Sequence, residues 1–296
     1  MRASAVLVFL LAVAGVTVPA QAPLPDEAAF FAEARARLAS NPDLRARYAY
    51  RERRTEMQFN PFGRIGPGPV EVYEVFPGPT RALTYRRLVE RGGVPVPARE
   101  IAEQDREHLA EIHGHERART GESARARAER EARDRQRRAE AQAQADEVIA
   151  LFDFRIAGRE RLEGEPAIIV TFAAKPEARP RSREARLAAA FRGRAWVHEH
   201  EYELLRIEAE ATEDVSFGFG VIGRLHEGAT ATLVRRRALG SWLPVESRFE
   251  GTGRALLLRR VEFTSVYEYS DYRRFDPTRL AAMLAGGDLS ARPSGW

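Results

Sequence analysis

Cysteine is absent from all 296 residues, which removes disulfide staples, thiolate metal sites, cysteine nucleophiles and an N-terminal lipid-modified cysteine together. Lysine is nearly absent too: Lys175 stands alone, so 46 of the 47 basic residues are arginine. Against 43 acidic residues they leave a net charge of only +4, too little for the broad basic field that marks a nucleic-acid binder. After the first twenty residues no run is long and apolar enough to span a bilayer. The widest gap is internal. Between Ile112 and Val148 there is no valine, isoleucine, leucine, methionine or aromatic residue, so a helix there has no stripe to bury, forms no coiled-coil seam and lives in solvent.

What is present reads as a globular chain, 44% hydrophobic and 30% charged. Its start has the grammar of an export signal. Met1 and Arg2 precede the unbroken apolar run Ala5 to Ala14, and Val18-Pro19-Ala20 offers small residues before a cut after Ala20. Residues 1–20 are therefore expected to be removed, leaving a chain for the periplasm or the exterior without a lipid anchor. From Asp26 the spacing of Phe30, Phe31, Ala34 and Leu38 predicts a short helix that Asn41-Pro42 ends. Strand patterns follow at 47–59, 70–76 and 81–89, separated by proline and glycine clusters.

The expected organisation is residues 21–98 for the first helix and strands, 99–151 for one long charged helix, 152–275 for the remaining strands and 276–296 for a tail. Within the charged segment, Glu100 to Glu116 has six acids and one arginine, and Arg117 to Arg138 has nine arginines and four acids. Acid-first pairs at 129/133, 131/135 and 134/138 are spaced to support an isolated helix. Such charge segregation suits either a solvated helix held by its own ion pairs or an arm that docks on an envelope partner.

After Leu151 the strand pattern returns at 152–156, 167–173, 194–199, 204–211, 215–225, 230–237, 242–249 and 255–269. Gly158, Glu160, Gly164, Pro166 and Phe172 fall in the order G-x-E-x-x-x-G-x-P-x-x-x-x-x-F, which resembles the paired strands of LolA-like outer-membrane lipoprotein-sorting proteins. Ala195-Trp196-Val197, Leu204 to Glu208 and Glu268 to Phe275 are similar to uncharacterised exported proteins of that superfamily. The resemblance implies an α+β, mainly antiparallel fold: a curved half-barrel sheet wrapped around helices, with the charged helix inserted between two runs of strands. It also implies an apolar face suited to lipid or acyl groups.

Motifs that suggest chemistry sit in the wrong surroundings for it. Gly218-Phe219-Gly220-Val221-Ile222-Gly223 matches G-x-G-x-x-G, but strand-forming residues follow it where a phosphate-binding helix N-terminus is needed. His198 and His200, with Glu199, Glu201 and His226, have metal-ligating side chains, yet His198 to Glu203 reads as a hairpin turn. His113 and His115 diverge on a helix. No serine sits in a nucleophile elbow. No catalytic residue, metal or cofactor is assigned.

On the last long strand the odd positions are the more apolar, and Leu257, Arg259, Val261, Phe263 and Tyr267 are the candidate ligand-binding residues. Arg259 among apolar neighbours requires a partner: either a cross-strand acid such as Glu246 or Glu250, or the anionic head of an acyl ligand. The leading expectation is an exported, non-enzymatic protein that shelters an apolar ligand or an apolar protein segment. The alternative is an envelope scaffold acting through its charged helix, and a metal-dependent hydrolase comes third.

Overall fold

The computed structural model describes residues 23–40, 44–59, 65–217, 223–255 and 259–287; the expected export signal, Leu257 and most of the glycine motif lie outside them. Helix α1 (Glu27–Ser40) begins where Asp26 accepts the Ala29 amide at 2.9 Å, a side-chain cap on an otherwise unpaired donor. The first run of strands is β1 (Tyr48–Thr55), β2 (Met57–Phe59), β3 (Ile65–Pro67), β4 (Glu71–Phe76), β5 (Tyr85–Arg91) and β6 (Val94–Pro95). Helices α2 (Ala98–Thr120) and α3 (Ala124–Ala150) follow. The second run comprises β7 (Phe152–Leu162), β8 (Glu165–Ala174), helix α4 (Arg183–Ala189), β9 (Phe191–His198), β10 (Leu204–Ala211), β11 (Val215–Phe217), β12 (Gly223–Leu225), β13 (Thr230–Ala238), β14 (Ser241–Ala255) and β15 (Arg259–Arg274). Helix α5 (Leu280–Gly286) comes last among the described residues.

One antiparallel sheet runs β6-β5-β4-β1-β15-β14-β13-β10-β9-β8-β7, with the β11–β12 hairpin attached to β14 and β2–β3 forming a separate ribbon. The fold is thus α+β and mainly antiparallel, with helices inserted between two runs of strands. β6 and β7 end the order without pairing each other, so the sheet is open. β1 lies between β4 and β15 and joins the two runs.

Following the register from strand to strand, Ile168 and Val170 of β8 share a face with Ile207, Leu233, Ser247, Tyr267 and Arg54. On that face α1 buries Phe30 and Ala34 against Ile168, Val170 and Val197. Phe76 and Tyr85 point to the opposite face, where α2 and α5 cover them with Ile112, Leu280 and Leu284. Each helical layer therefore protects a different end of the sheet, on a different side.

The charged segment departs from the sequence expectation in two ways. It is two helices, broken at Gly121 to Ser123, where the Ser123 hydroxyl accepts the Ala126 amide at 3.2 Å and starts α3. Its first part is not solvated: Ile112 is fully buried and Leu109 packs beside it. Beyond Ile112 the solvent reading holds, and α3 buries no residue. The ion pairs along it are Arg125–Glu129, Arg130–Glu122, Arg130–Asp134 and Arg137–Asp134 in place of the three acid-first pairs expected. Long exposed side chains choose among several neighbours of nearly equal energy.

Candidate functional site

Each residue of the hairpin motif has a local task. Gly158 follows a bulge in β7, where the register slips between Ile156 and Gly158. The Trp196 indole N–H donates to Glu160. Gly164, at φ 92, makes the turn to β8 in a conformation that strains other residues. Pro166 pairs with Arg161 at the start of β8, and its carbonyl accepts the Glu199 amide at 3.0 Å. Phe172 lies over Gly193, where a Cβ would come within 2.7 Å of its ring. These are structural duties, and none leaves a reactive group poised.

His198 is likewise occupied. It is buried, and its Nδ1 accepts the amides of Glu201 at 3.1 Å and His200 at 3.3 Å, leaving Nε2 to face Glu165 at 3.4 Å. The ring of His200 is tilted 73° from that of His198, with centroids 6.1 Å apart. His226 pairs with Asp214 at 3.2 Å, and Glu199 holds Arg159. Among the described residues no three His, Asp or Glu side chains gather as a metal site needs.

The candidate binding face lies over the middle strands. One register row crosses Ile207, Leu233, Ser247 and Tyr267; its neighbour crosses Ala209, Ala231, Phe249 and Ser265. All eight are half-buried and none is charged. α4 and the start of β7 lie against Ile207 and Ala209. Phe263 packs with Phe249 on the cluster of Ala211, Val215, Leu225 and Ala229, its ring over Gly253.

Arg259 and Val261 stand opposite Ala255 and Gly253. The two acids named as cross-strand partners for Arg259 are engaged elsewhere. Glu246 pairs across the sheet with Glu268 and Glu250 with Thr264, on the other face, and both carboxylates hold Arg248 at 3.1 and 3.0 Å.

The apolar rows end at a polar cluster that the sequence reading missed. Tyr267 donates its hydroxyl to Glu56; burial and this bond push it up to about 12. Arg54, next in the row, donates to Tyr73 at 2.9 Å and to Glu71 at 3.4 Å and lies 3.6 Å from Glu56. Burial, with the bond to Glu71 behind it, raises the Tyr73 hydroxyl as well. One pair further on, Glu52 is only 1% exposed and accepts from Arg86 at 2.8 Å. The alternation Tyr50-Arg51-Glu52-Arg53-Arg54 conceals this, since Glu52 and Arg54 fall where apolar residues are anticipated.

On the opposite face of β7, β8, β9, β10 and β13, a groove of about 690 Å³ is lined by Asp153, Arg155, Arg192, Arg194, Glu208 and Glu210 among others. Cross-strand pairs Arg194–Glu208 and Arg192–Glu210 at 3.3 and 3.9 Å neutralise much of it. The two faces of the same strands thus differ in kind: uncharged on one, salt-bridged on the other.

No protein-family model matches this chain, and no curated protein matches it in sequence. Among solved structures it is similar to a DUF1329 family protein from Desulfovibrio piger, at 9% identity over 86% of this chain and 96% of that one, with a TM-score of 0.30. It is also similar to a putative outer membrane lipoprotein-sorting protein domain from Vibrio parahaemolyticus, at 8% identity over 86% and 97% of the two chains, with a TM-score of 0.29. A LolA superfamily protein from Nitrosomonas europaea matches at 11% identity over 82% and 94%, with a TM-score of 0.26. Superpositions this loose add nothing to the strand order and register given above. Among the described residues no helix is long and apolar enough to cross a membrane.

Proposed function

We propose that this is a non-catalytic envelope protein that binds an apolar group, a lipid or acyl chain or an apolar protein segment, on the uncharged face of β13, β14 and β15. The observation that carries the reading is the pair of in-register rows from Ile207 to Tyr267 and from Ala209 to Ser265, eight half-buried residues without a charge. A ligand completing that burial gains roughly 25 cal/mol per Å² of apolar surface removed from water. Leu257, Arg259, Val261, Phe263 and Tyr267 remain the assigned contacts, with Leu233 and Phe249 added from the register. Export follows from the first twenty residues: the mature chain begins at or near Gln21 in the periplasm or outside, and N-terminal sequencing of the exported protein checks the cut.

The test is titration of the mature protein with a fluorescent fatty-acid analogue. Leu233→Glu should abolish binding, because the charge is desolvated when the ligand lies over it. Leu233 suits this better than Phe263, whose ring belongs to a core cluster. Arg259→Ala should weaken a fatty acid more than its neutral ester, the anion alone losing a charge-assisted bond. Well-folded protein that binds no member of a panel of acyl lipids would overturn the reading.

The exposed α3, which buries nothing, supports a second reading as a scaffold working through its charges. Charge reversal at Arg133 and Arg135 separates the two, since it should disturb partner cross-linking in the envelope and leave acyl binding alone.

A further inference from the structure

An open sheet presents unpaired backbone groups at both ends, and natural sheets blunt such edges with short strands, proline, bulges or covering groups. One end of this sheet is blunted in these ways. β6 is two residues long and ends in Pro95, and further along β5 the side chain of Gln104 takes both backbone groups of Leu88. The other end is β7, eleven residues long. Its second half is guarded: the register slips between Ile156 and Gly158, and Arg159 donates to the Pro23 carbonyl at 3.0 Å, which holds the chain leading into α1 beside it. Phe152 to Ile156 has far less cover.

Two hydrogen bonds fix which way the backbone points in that stretch. The Leu151 carbonyl accepts the Lys175 amide at 2.8 Å on the β8 side, and the Ile156 amide points the other way, to Glu27 at 2.7 Å. Backbone groups alternate along a strand, so Phe152, Phe154 and Ile156 turn theirs to the open edge. Among the described residues no group meets the Phe154 amide or carbonyl there. Between these residues, Asp153 and Arg155 stand exposed on the groove side. Arg155 reaches Glu27 only at 3.7 Å, and among the described residues no cation holds Asp153.

The order Phe152-Asp153-Phe154-Arg155-Ile156 is complementary to itself. Turned antiparallel about Phe154, a second copy sets Asp153 against the partner's Arg155 and Arg155 against the partner's Asp153. Phe154 then exchanges both backbone bonds with its twin, and Phe152 faces the partner's Ile156, whose amide gives up Glu27 for a strand carbonyl. The charged pairs fall at positions without mutual backbone bonds, where facing side chains come closest. Opposite charges there favour the pairing, and like charges oppose it. The same patch serves both copies, as a two-fold axis requires.

We infer that β7 pairs with β7 of a second copy, antiparallel about Phe154, so that two sheets join into one across a two-fold axis. The inference is separate from the acyl-binding reading, since it concerns the edge of the sheet and not its uncharged face.

Sedimentation equilibrium of the mature protein tests it, with a dimer expected. D153R and R155D should each weaken the dimer at least about fivefold, because two repulsive pairs replace two attractive ones. Mixing the two single variants should restore dimers of one with the other, and D153R/R155D, which keeps the order with its signs exchanged, should dimerise by itself. V94E at the opposite edge, where Val94 is 65% exposed, and R133E/R135E on α3 should leave the dimer unchanged. The inference is overturned by a monomer up to the highest soluble concentration, by a dimer indifferent to D153R and R155D in folded protein, or by an equal loss with V94E or R133E/R135E. Failure of both the mixture and D153R/R155D to recover the dimer would overturn it as well.

Discussion

Helices α2 and α3 come from one charged stretch of sequence, and their fates differ because of a few contacts between Gln104 and Ile112 of α2. Leu109 and Ile112, three residues apart, supply its apolar contact with Phe76, Tyr85 and Leu280. Polar side chains add the rest. Gln104 accepts the Leu88 amide at 2.9 Å and donates to the Leu88 carbonyl at 3.2 Å, serving both backbone groups of one residue beside a bulge in β5. Asp105 accepts the Tyr85 hydroxyl at 2.6 Å and Arg87 at 3.3 Å, and His108 meets the Leu83 carbonyl at 3.1 Å. α3 has nothing comparable until its last turn, where Asp146 holds Arg35 of α1 at 2.7 Å and Glu147 accepts the amides of Arg181 and Ser182. A helix with almost no apolar stripe can still be docked if it satisfies the backbone of the strand it meets.

The sharpest way to break this contrast is to remove its one fully buried side chain. Ile112→Ala should cost about 2 to 5 kcal/mol in urea unfolding; a loss under 1 kcal/mol would mean that α2 is as loose as α3. Gln104→Ala comes next at about 1 to 3 kcal/mol, because both Leu88 backbone groups lose their partner.

Alkaline pH should sharpen the comparison further. Burial, then the bond to Asp105, raises the Tyr85 hydroxyl above its ordinary 10.0, and Tyr267 is raised to about 12. The folded state therefore keeps protons that the unfolded chain releases. Stability from these tyrosines is whole below pH 10 and is lost as pH climbs through the folded values. The decline above pH 10 should be shallower in Tyr85→Phe, as read by denaturant midpoints across that range. At the small end, Arg133→Ala and Arg135→Ala in α3 should each change stability by less than about 0.5 kcal/mol.

Much of the strand content was legible because proline and glycine clusters bound it, and because the β7–β8 hairpin places its turn at Gly164 and its bulge before Gly158. The 204–211 pattern coincides with β10, whereas β14 and β15 run past the ends of theirs. α4 went unread, although Ser182 before Arg183-Glu184-Ala185 is a helix start and its hydroxyl accepts the Ala185 amide at 3.1 Å. The pairing of β1 with β15 was not legible at all, since nothing local to Tyr48–Thr55 specifies a partner more than two hundred residues away. The site suffered from the same limit. Parity along one strand marked its more apolar side, Arg259 included, but not the neighbouring positions on that face, which the register of β10, β13 and β14 supplies.

That central pairing has a consequence for how the chain comes together. β1 needs β15, and α1 needs β7, β8 and β9 to cover its aromatic residues. The first elements to emerge during synthesis or export must therefore wait for the last. Contacts so distant along the chain slow folding, because the loop is closed before it is rewarded. A truncated product ending within α3 holds Phe30, Phe31 and the β1 edge uncovered, in a form open to aggregation and proteolysis. A protein wired this way assembles only after its last strand is available, and nothing in its front half matures in advance.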